Sequence, residues 1–554
     1  MENQGNNFGA ALLDNITTGM YSDSFTLYRE YIQNSCDSID KAIDKGLLSG
    51  REEGEIEIWV DDRTVSIKDN GAGIASQDFE KVLSGIGDSN KVLNKEKGFR
   101  GIGRLIGVAY CDKLIFTSKA KGEPTISEMV IDAANWKRMQ VEHRMKEQRY
   151  SAQEVIQQST KVQQYECQSV QIDKHWFEVK LSVIDESNST LLDTTEIRKY
   201  LEFNAPVAYK NTFHFRDKIS KEAQKYLVID EYPLFVNREQ VFKPYTKTLH
   251  KEDDKGGQPF DELVDVSFKE LKYDNQKTGA FIWVGIREDF NGVLPASNES
   301  RGLRIRKGNI QIGNSDILQS KKLFKEDRGN HYFVGEIFVL DDDLIPNARR
   351  DYFESGEALE MFERACKKYF NEDLQPLYKK ASELRNAQKR IDKVETVQQE
   401  LESLKQEIEQ NESVDESTKE QKIQEVKEQE RVVEKAKSEA RSAQTKITKI
   451  LEKERGEDIT PALNMYVGHF KGKLNDESSK SKPDESPKQY GTTNRKSASQ
   501  IQNESRVEET LKRMPKAERR VVIKIFDILD ECRLGDLEEP LKEKLKKRMI
   551  EKLK

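Results

Sequence analysis

The sequence predicts an α/β protein: two successive α/β regions, then a coiled coil and a helical tail. Three observations predict it. Up to about residue 200, helical spacing and strand-like runs alternate; from 201 to about 365, four further β-rich runs recur; and from about 366 aromatic residues thin out after Tyr378 while Lys, Glu and Gln dominate. The 554 residues suggest about three or four domains, and 35% apolar against 34% charged residues is too polar for one uniform globule. Core-rich and solvated parts should therefore separate along the chain.

Taken in order, the first element is "LYREYIQNSCDSIDKA", residues 27–42. Glu30, Asn34 and Asp37 recur at steps of four and three, which puts them on one helical face. Leu27, Tyr31 and Ile39 give the same helix a packing side. "EIEIWVDDRTVSIKDNG" reads as two strands joined by an Asp-Asp turn, and "KLIFTSKA" and "HWFEVKLSVI" as further strands. The charged, Gln-rich stretch 135–165 reads as an excursion from that sheet. In the second region, "YLVIDEYPLFV", "GAFIWVGI", "GLRIRKGNIQIG" and "YFVGEIFVLD" read as strands, whereas "HKEDDKGGQPFDE" reads as a loop for want of an apolar period. Arg304, Arg306 and Lys307 read as the basic edge of a solvated strand.

Val394, Val397, Leu401, Leu404 and Ile408 form one coiled-coil seam over 366–455, and Val433, Ala436, Ala440, Ala443, Ile447 and Ile450 form a second. With "NESVDEST" between them, the two fold back as a hairpin or run on as one rod. Residues 456–505 read as a linker, mostly disordered, because "LNDESSKSKPDESPKQYGTTNRKSASQIQNE" is rich in Ser, Lys and Pro. Residues 506–554 read as a helical segment with a basic end, suited to docking.

Several function classes drop out. A net charge of −7 argues against coating of nucleic acid by the whole chain. No apolar run approaches the roughly 20 residues of a membrane span. The opening "MENQGNNFGA" lacks the pattern of a signal peptide, so a cytoplasmic protein is expected. Five scattered cysteines and six scattered histidines suggest neither a disulfide frame nor a zinc site, and no nuclease-like metal cluster is evident.

What remains is a constellation of three motifs. Glu30, Asn34 and Asp37 could hold Mg²⁺ through oxygen and aim a water, or simply face solvent. "IKDNGAGI" sets Asp69 at a strand end before Gly71 and Gly73, where a carboxylate can accept from an adenine amino group; an ordinary turn has the same chemistry. "GFRGIGRLIG" frees backbone N–H groups ahead of a helical run, which suits phosphate. It is neither a Walker loop nor a Rossmann fingerprint.

In this order and spacing, the three motifs resemble the boxes of the GHKL ATPase superfamily. Residues 10 to about 120 are similar to the heat-shock-chaperone-like members and to MORC-like ATPases. The resemblance implies a Bergerat-type α/β-sandwich ATPase domain over 1–200 and a transducer-like α/β domain over 201–365, with ATP and Mg²⁺ as cofactors. It implies that Glu30 activates water, Asn34 binds Mg²⁺, Asp69 reads adenine and Asp37 supports that site. Gly71, Gly73 and Ile74 would shape the base pocket, with Thr117 on a neighbouring strand. Gly98, Arg100, Gly101, Ile102 and Gly103 would lie over the phosphates. Residues 84–97 fall where the family has a mobile lid, with Gly85 and Gly87 as hinges and Lys91 in reach of phosphate. "LIPNARRDYFE" resembles the loop that sends a basic residue to the γ-phosphate, matching Arg350 first and Arg349 second; pairing with Asp341 or Asp351 is the plainer reading. One departure is "DKHWFEVKL", which stands where the family often has Gly-Thr.

The resemblance further implies a slow ATPase working as an ATP-gated homodimeric clamp. The first expectation is a clamp acting on DNA, MORC- or MutL-like, with antiviral genome defence as its setting. Protein remodelling like a chaperone, or a scaffold recruiting an effector through the coiled coil and tail, are the alternatives.

Overall fold

The computed structural model describes residues 23–85, 103–253, 256–410, 416–453 and 460–480, with Ala10, Leu13 and Thr17 beside them. Lys91, Gly98, Arg100, Gly101 and Ile102, most of the expected lid, and the segment 506–554 lie outside the described residues.

The first half is built around α1 (Thr26–Asp44). Leu27, Tyr28, Tyr31, Ile32, Cys36 and Ile39 are buried in a core that includes Ile58, Ile67, Phe116 and Leu181 from the sheet. β1 (Ile56–Asp61) and β2 (Thr64–Asp69) form the expected hairpin, turned at Asp62 and Arg63, one residue beyond the Asp-Asp pair, with Asp62 at a left-handed φ of 46°. Buried and part-buried positions alternate along β2, so Asp69 shares the core-facing row with Val65 and Ile67. α2 (Ser76–Ser84) follows, then β3 (Cys111–Lys119), β4 (Thr125–Asp132), α3 (Ala133–Met145), α4 (Ala152–Ser159), β5 (Thr160–Glu166) and β6 (Trp176–Ile184). The stretch 135–165, expected to leave the sheet, does so as α3 and α4 and then returns as edge strand β5.

α5 (Thr194–Asn204) and α6 (Arg216–Ala223) lead to β7 (Leu234–Val236) and β8 (Glu239–Gln240). Among the described residues the first sheet runs β5-β4-β3-β6-β2-β1-β7-β8, antiparallel except where β7 joins β1 in parallel. Sheet membership therefore changes after Gln240, not at residue 200. Of "YLVIDEYPLFV" only the last three residues are strand.

The second sheet contains β9 (Thr248–Asp253), β10 (Gly256–Lys272), β11 (Thr278–Arg287), β12 (Gly302–Lys307), β13 (Ile310–Ile312) and β14 (Val334–Val339), in the order β13-β12-β14-β11-β10-β9. β11 and β14 are buried along nearly their whole length because both faces are covered. Ala280, Ile282, Val284 and Ile337 face one core, and Phe281, Trp283 and Phe338 face another.

Three expectations need correcting. The described residues of "HKEDDKGGQPFDE" are not a loop: 250–253 and 256–262 belong to β9 and β10, paired from Glu262 and Thr248 outward to Gly256 and Asp253. Their polar sequence reflects an edge ribbon without a buried face. Arg304 and Arg306 do not belong to a solvated strand either. Both are buried, and Arg306 pairs with Glu336 in a fully buried cluster that includes Lys243. Finally, part of the stretch 456–505 read as linker is helix. α10, Pro461–Lys480, docks Ala462, Leu463, Tyr466 and Phe470 on the second core, and Tyr466 meets Phe290 edge-on at 5.6 Å. Their spacing of one, three and four is helical.

α7 (Glu357–Tyr369) packs on the same core as α10. α8 (Gln375–Gln410) and α9 (Glu416–Lys453) then run antiparallel, since Gln388 meets Gln444, Gln398 meets Lys437 and Lys405 meets Glu430.

Candidate functional site

α1 is the spine on which the motif residues gather. Glu30 is 14% exposed at its side chain and lies 3.6 Å from the Arg29 guanidinium. Gly103 opens the 3-10 segment Gly103–Ala109, and a Cβ there would run into Oε2 of Glu30. The glycine is therefore required by the approach of the carboxylate. Tyr31 fixes this approach: its hydroxyl donates to the Arg104 carbonyl and accepts from the Gly107 N–H, both at 3.0 Å. A β-carbon on Gly107 would likewise strike that hydroxyl.

Asn34 is part-buried one turn beyond Glu30, and Asp37 is buried. Further along α1, Ser38 and Ser35 hydrogen-bond the carboxyl of Asp69, which also accepts from the Gly71 N–H at 2.9 Å. Burial nonetheless dominates and pushes Asp69 up to about 7, with those three hydrogen bonds working the other way. The loop after Asp69 is held to the same helix, for the Ala72 N–H donates to the Ser38 carbonyl at 2.9 Å. Gly73 has φ +63°, and a side chain there would strike the Lys119 carbonyl. The Ile74 N–H donates to the Ser118 hydroxyl at 2.7 Å, which brings the end of β3, with buried Thr117, against the loop.

The Arg349–Arg350 loop reaches this helix from the second half of the chain. Arg29 Nη2 donates to the Arg349 carbonyl at 2.9 Å. Arg350 is buried, with φ 53°. Asp341 is met by Lys277 and Asp351 by Asn347. Arg104 ties the start of the expected lid by donating to the carbonyls of Val82 and Gly85.

Arg29, Tyr31, Ser35 and Ser38 are the residues that sequence reasoning missed. Only the helical period could have signalled them: Ser35 and Ser38 flank Asp37, and Tyr31 was read as packing.

The described residues contain no group of three or more His, Cys, Asp or Glu able to hold a metal. The oxygen donors of α1 instead fit Mg²⁺, which keeps several waters and leans on phosphate rather than on a protein cage. Asn34 would be its protein ligand.

Among the described residues, a helix carrying carboxylates, with the Asp69–Ile74 loop and the segment from Gly103 packed against it, lies on a mixed sheet in an α/β fold. Residues 22–165 match the family model described as histidine kinase-, DNA gyrase B- and HSP90-like ATPase, and the chain carries a GHKL-type ATPase domain there. The chaperone protein HtpG of Geobacter metallireducens is 34% identical over 85 residues, 14% of this chain and 13% of that protein. HtpG of Halalkalibacterium halodurans is 29% identical over 129 residues, 20% of this chain and 21% of that protein. The chain thus matches only a small part of the length of these curated relatives, and the similarity to them is distant.

Proposed function

We propose that the chain is a magnesium-dependent ATP hydrolase whose nucleotide cycle drives a change of shape in a homodimer. One observation carries this reading: the segments around Asp69 and Gly103 meet α1 at two places, Ser35–Ser38 and Glu30. Five to eight helical residues separate them, about 7–12 Å along the axis. That suits an extended nucleotide with its base at Asp69 and its phosphates at Glu30 and Gly103.

In this reading Asp69 accepts from the adenine amino group, and Gly73 and Ile74 line the base. Glu30 accepts a proton from the attacking water, and Arg350 faces the transferring phosphoryl group. Mg²⁺, when bound at Asn34, would neutralise phosphate charge. Arg29, between Glu30 and the Arg349 carbonyl, links the two halves of the chain at the reacting end.

Both relatives are chaperones, and that likeness supports protein remodelling over the DNA clamp first expected. The antiparallel hairpin of α8 and α9 would present the client or effector surface. The test is ATP turnover by the full chain and by Glu30→Ala, with and without duplex DNA at low and high salt. We expect Glu30→Ala to bind ATP and lose turnover by about 100-fold or more, and DNA to leave turnover unchanged. Lost nucleotide binding would instead give Glu30 a structural role, and salt-sensitive stimulation by DNA would return the clamp reading.

A further inference from the structure

A second cleft, of about 410 Å³, lies away from the Asp69 loop, between α5 with the start of α1 on one side and the segment 296–315 on the other. One wall is aromatic: Phe25 and Tyr200 stand 5.4 Å apart, and Phe203 is buried beside them. Cations complete the lining, from the segment 296–315 and from Lys199. Arg304 is buried and stacks its guanidinium 3.7 Å from the Phe203 ring centre. It donates to the Gln311 side chain and the Glu299 carbonyl, yet its buried Nε has no acceptor. Among the described residues no acceptor meets the Arg301 side chain, which also lines the cleft. The carboxylates present are at the exposed rim, where Glu196 is engaged by Lys199 and Glu299 stands on the outer surface. An orphaned buried donor, an open guanidinium and flat rings together ask for an acceptor-rich planar ligand.

The cleft is also wired to the reacting end. Arg304 Nη1 donates to Gln311 Oε1 at 3.0 Å, Gln311 Nε2 donates to the Gly313 carbonyl at 2.9 Å, and the Gly313 N–H donates to the Arg350 carbonyl at 2.9 Å. From the other wall, Phe25 caps the helix that carries Glu30. Both walls therefore end at the groups assigned to hydrolysis.

We propose that this cleft binds a small organic anion bearing a planar ring, and that its occupancy modulates ATP turnover through Arg304, Gln311 and Gly313. The modulating half rests on the ATP-hydrolase reading above; the binding half does not.

The test uses the full chain with saturating ADP, the fluorescent arylsulfonate 8-anilinonaphthalene-1-sulfonate as reporter, and phenyl phosphate as competitor. Phenyl phosphate should displace the reporter from wild type and from Asp69→Asn. Arg301→Ala should weaken the competitor about tenfold, and Arg301→Lys should recover part of the loss. Equal displacement in Arg301→Ala, or displacement lost in Asp69→Asn, overturns the assignment. In turnover assays without ADP, phenyl phosphate should change the wild-type rate by about fivefold or more. Gln311→Glu still accepts from Arg304 but cannot donate to Gly313, so it should keep competitor binding and lose the rate change. A rate change that survives this substitution overturns the proposed route. A chain with no ATP turnover at all would sink the hydrolase reading and the modulation with it, while the displacement result would stand.

Discussion

Asp69 sits in a setting that penalises its charge, and this has a measurable sign. Its carboxyl is pushed to about 7 by burial, against an ordinary value of about 3.9. Between those values the folded chain binds the extra proton, so this group's contribution to stability is largest below about pH 4 and is lost as pH rises through 7. Three units correspond to something on the order of 4 kcal/mol. Asp69→Asn should therefore raise the melting temperature of the nucleotide-free protein most at pH 8, by a smaller margin at pH 5, and change it little only near pH 4. In the proposed reading Asp69 accepts from the adenine amino group, a bond that is stronger to the ionised carboxylate, so ATP affinity should fall as pH drops below 7 in wild type and fall less in the variant; calorimetry at several pH values measures both. Gly103 gives a second case. A methyl there collides with the Glu30 carboxylate, so Gly103→Ala should leave ATP affinity within a few fold and cut turnover by about 10- to 100-fold, read from single-turnover rates. Glu30, Asp69 and Gly103 stand out in the sequence because carboxylates and an amide recurring at steps of four and three, an Asp at a strand end before two glycines, and glycines ahead of an apolar run are local patterns. Ser35, Ser38 and Arg29 do not, because what they touch lies more than thirty residues away or, for Arg29, across the chain at Arg349.

At the scale of elements, the strands that could be read were those with a buried face. β2, β3, β6, β11 and β14 all carry apolar residues at period two or in continuous runs. The β9–β10 ribbon could not be read, because pairing alone holds its polar outer part. The β12 arginines misled for the opposite reason: charge on a strand suggests solvent, and only the fold supplies the partner. Burial alone would raise Glu336, but Arg306 and Lys243 overcome that and hold it at about 2. Tyr209 adds a hydrogen bond to the same carboxylate, and Arg306 also donates to the Phe203 carbonyl at the end of α5 at 2.8 Å. The cluster thus joins the connection between the sheets to β12 and β14. Glu336→Gln leaves the buried Arg306 without its counter-charge, while Lys243, which burial already holds down at about 7, sheds its proton more readily; the change should cost about 3–5 kcal/mol, seen as a lower denaturant midpoint. Because the depressed carboxyl contributes stability only above its unfolded value near 4.3, that difference should shrink as pH falls from 4 toward 2.

At the scale of the molecule, the question is what makes the first sheet answer to the second. The hairpin of α8 and α9 is anchored on the second core through Leu377, Tyr378, Ala381 and Leu384, whereas the GHKL-type match ends at residue 165. Any signal between nucleotide and hairpin must therefore pass through the contacts that join the halves. At the reacting end one of these is the Arg29 hydrogen bond to the Arg349 carbonyl. In the proposed reading Arg29 is a positioning residue: its guanidinium lies 3.6 Å from Glu30 and donates to the carbonyl of Arg349, the neighbour of Arg350. A residue that only stabilised α1 would change folding and leave the kinetics of folded protein alone. One that aligns the Arg350 loop should act on the transition state and spare the ground state. Arg29→Ala is expected to lower kcat by about 10- to 100-fold with KM nearly unchanged. Arg29→Lys, which can still reach a single carbonyl, should recover part of that loss. Equal falls in kcat and in the folded fraction, with no recovery by lysine, would mean that the two halves communicate elsewhere.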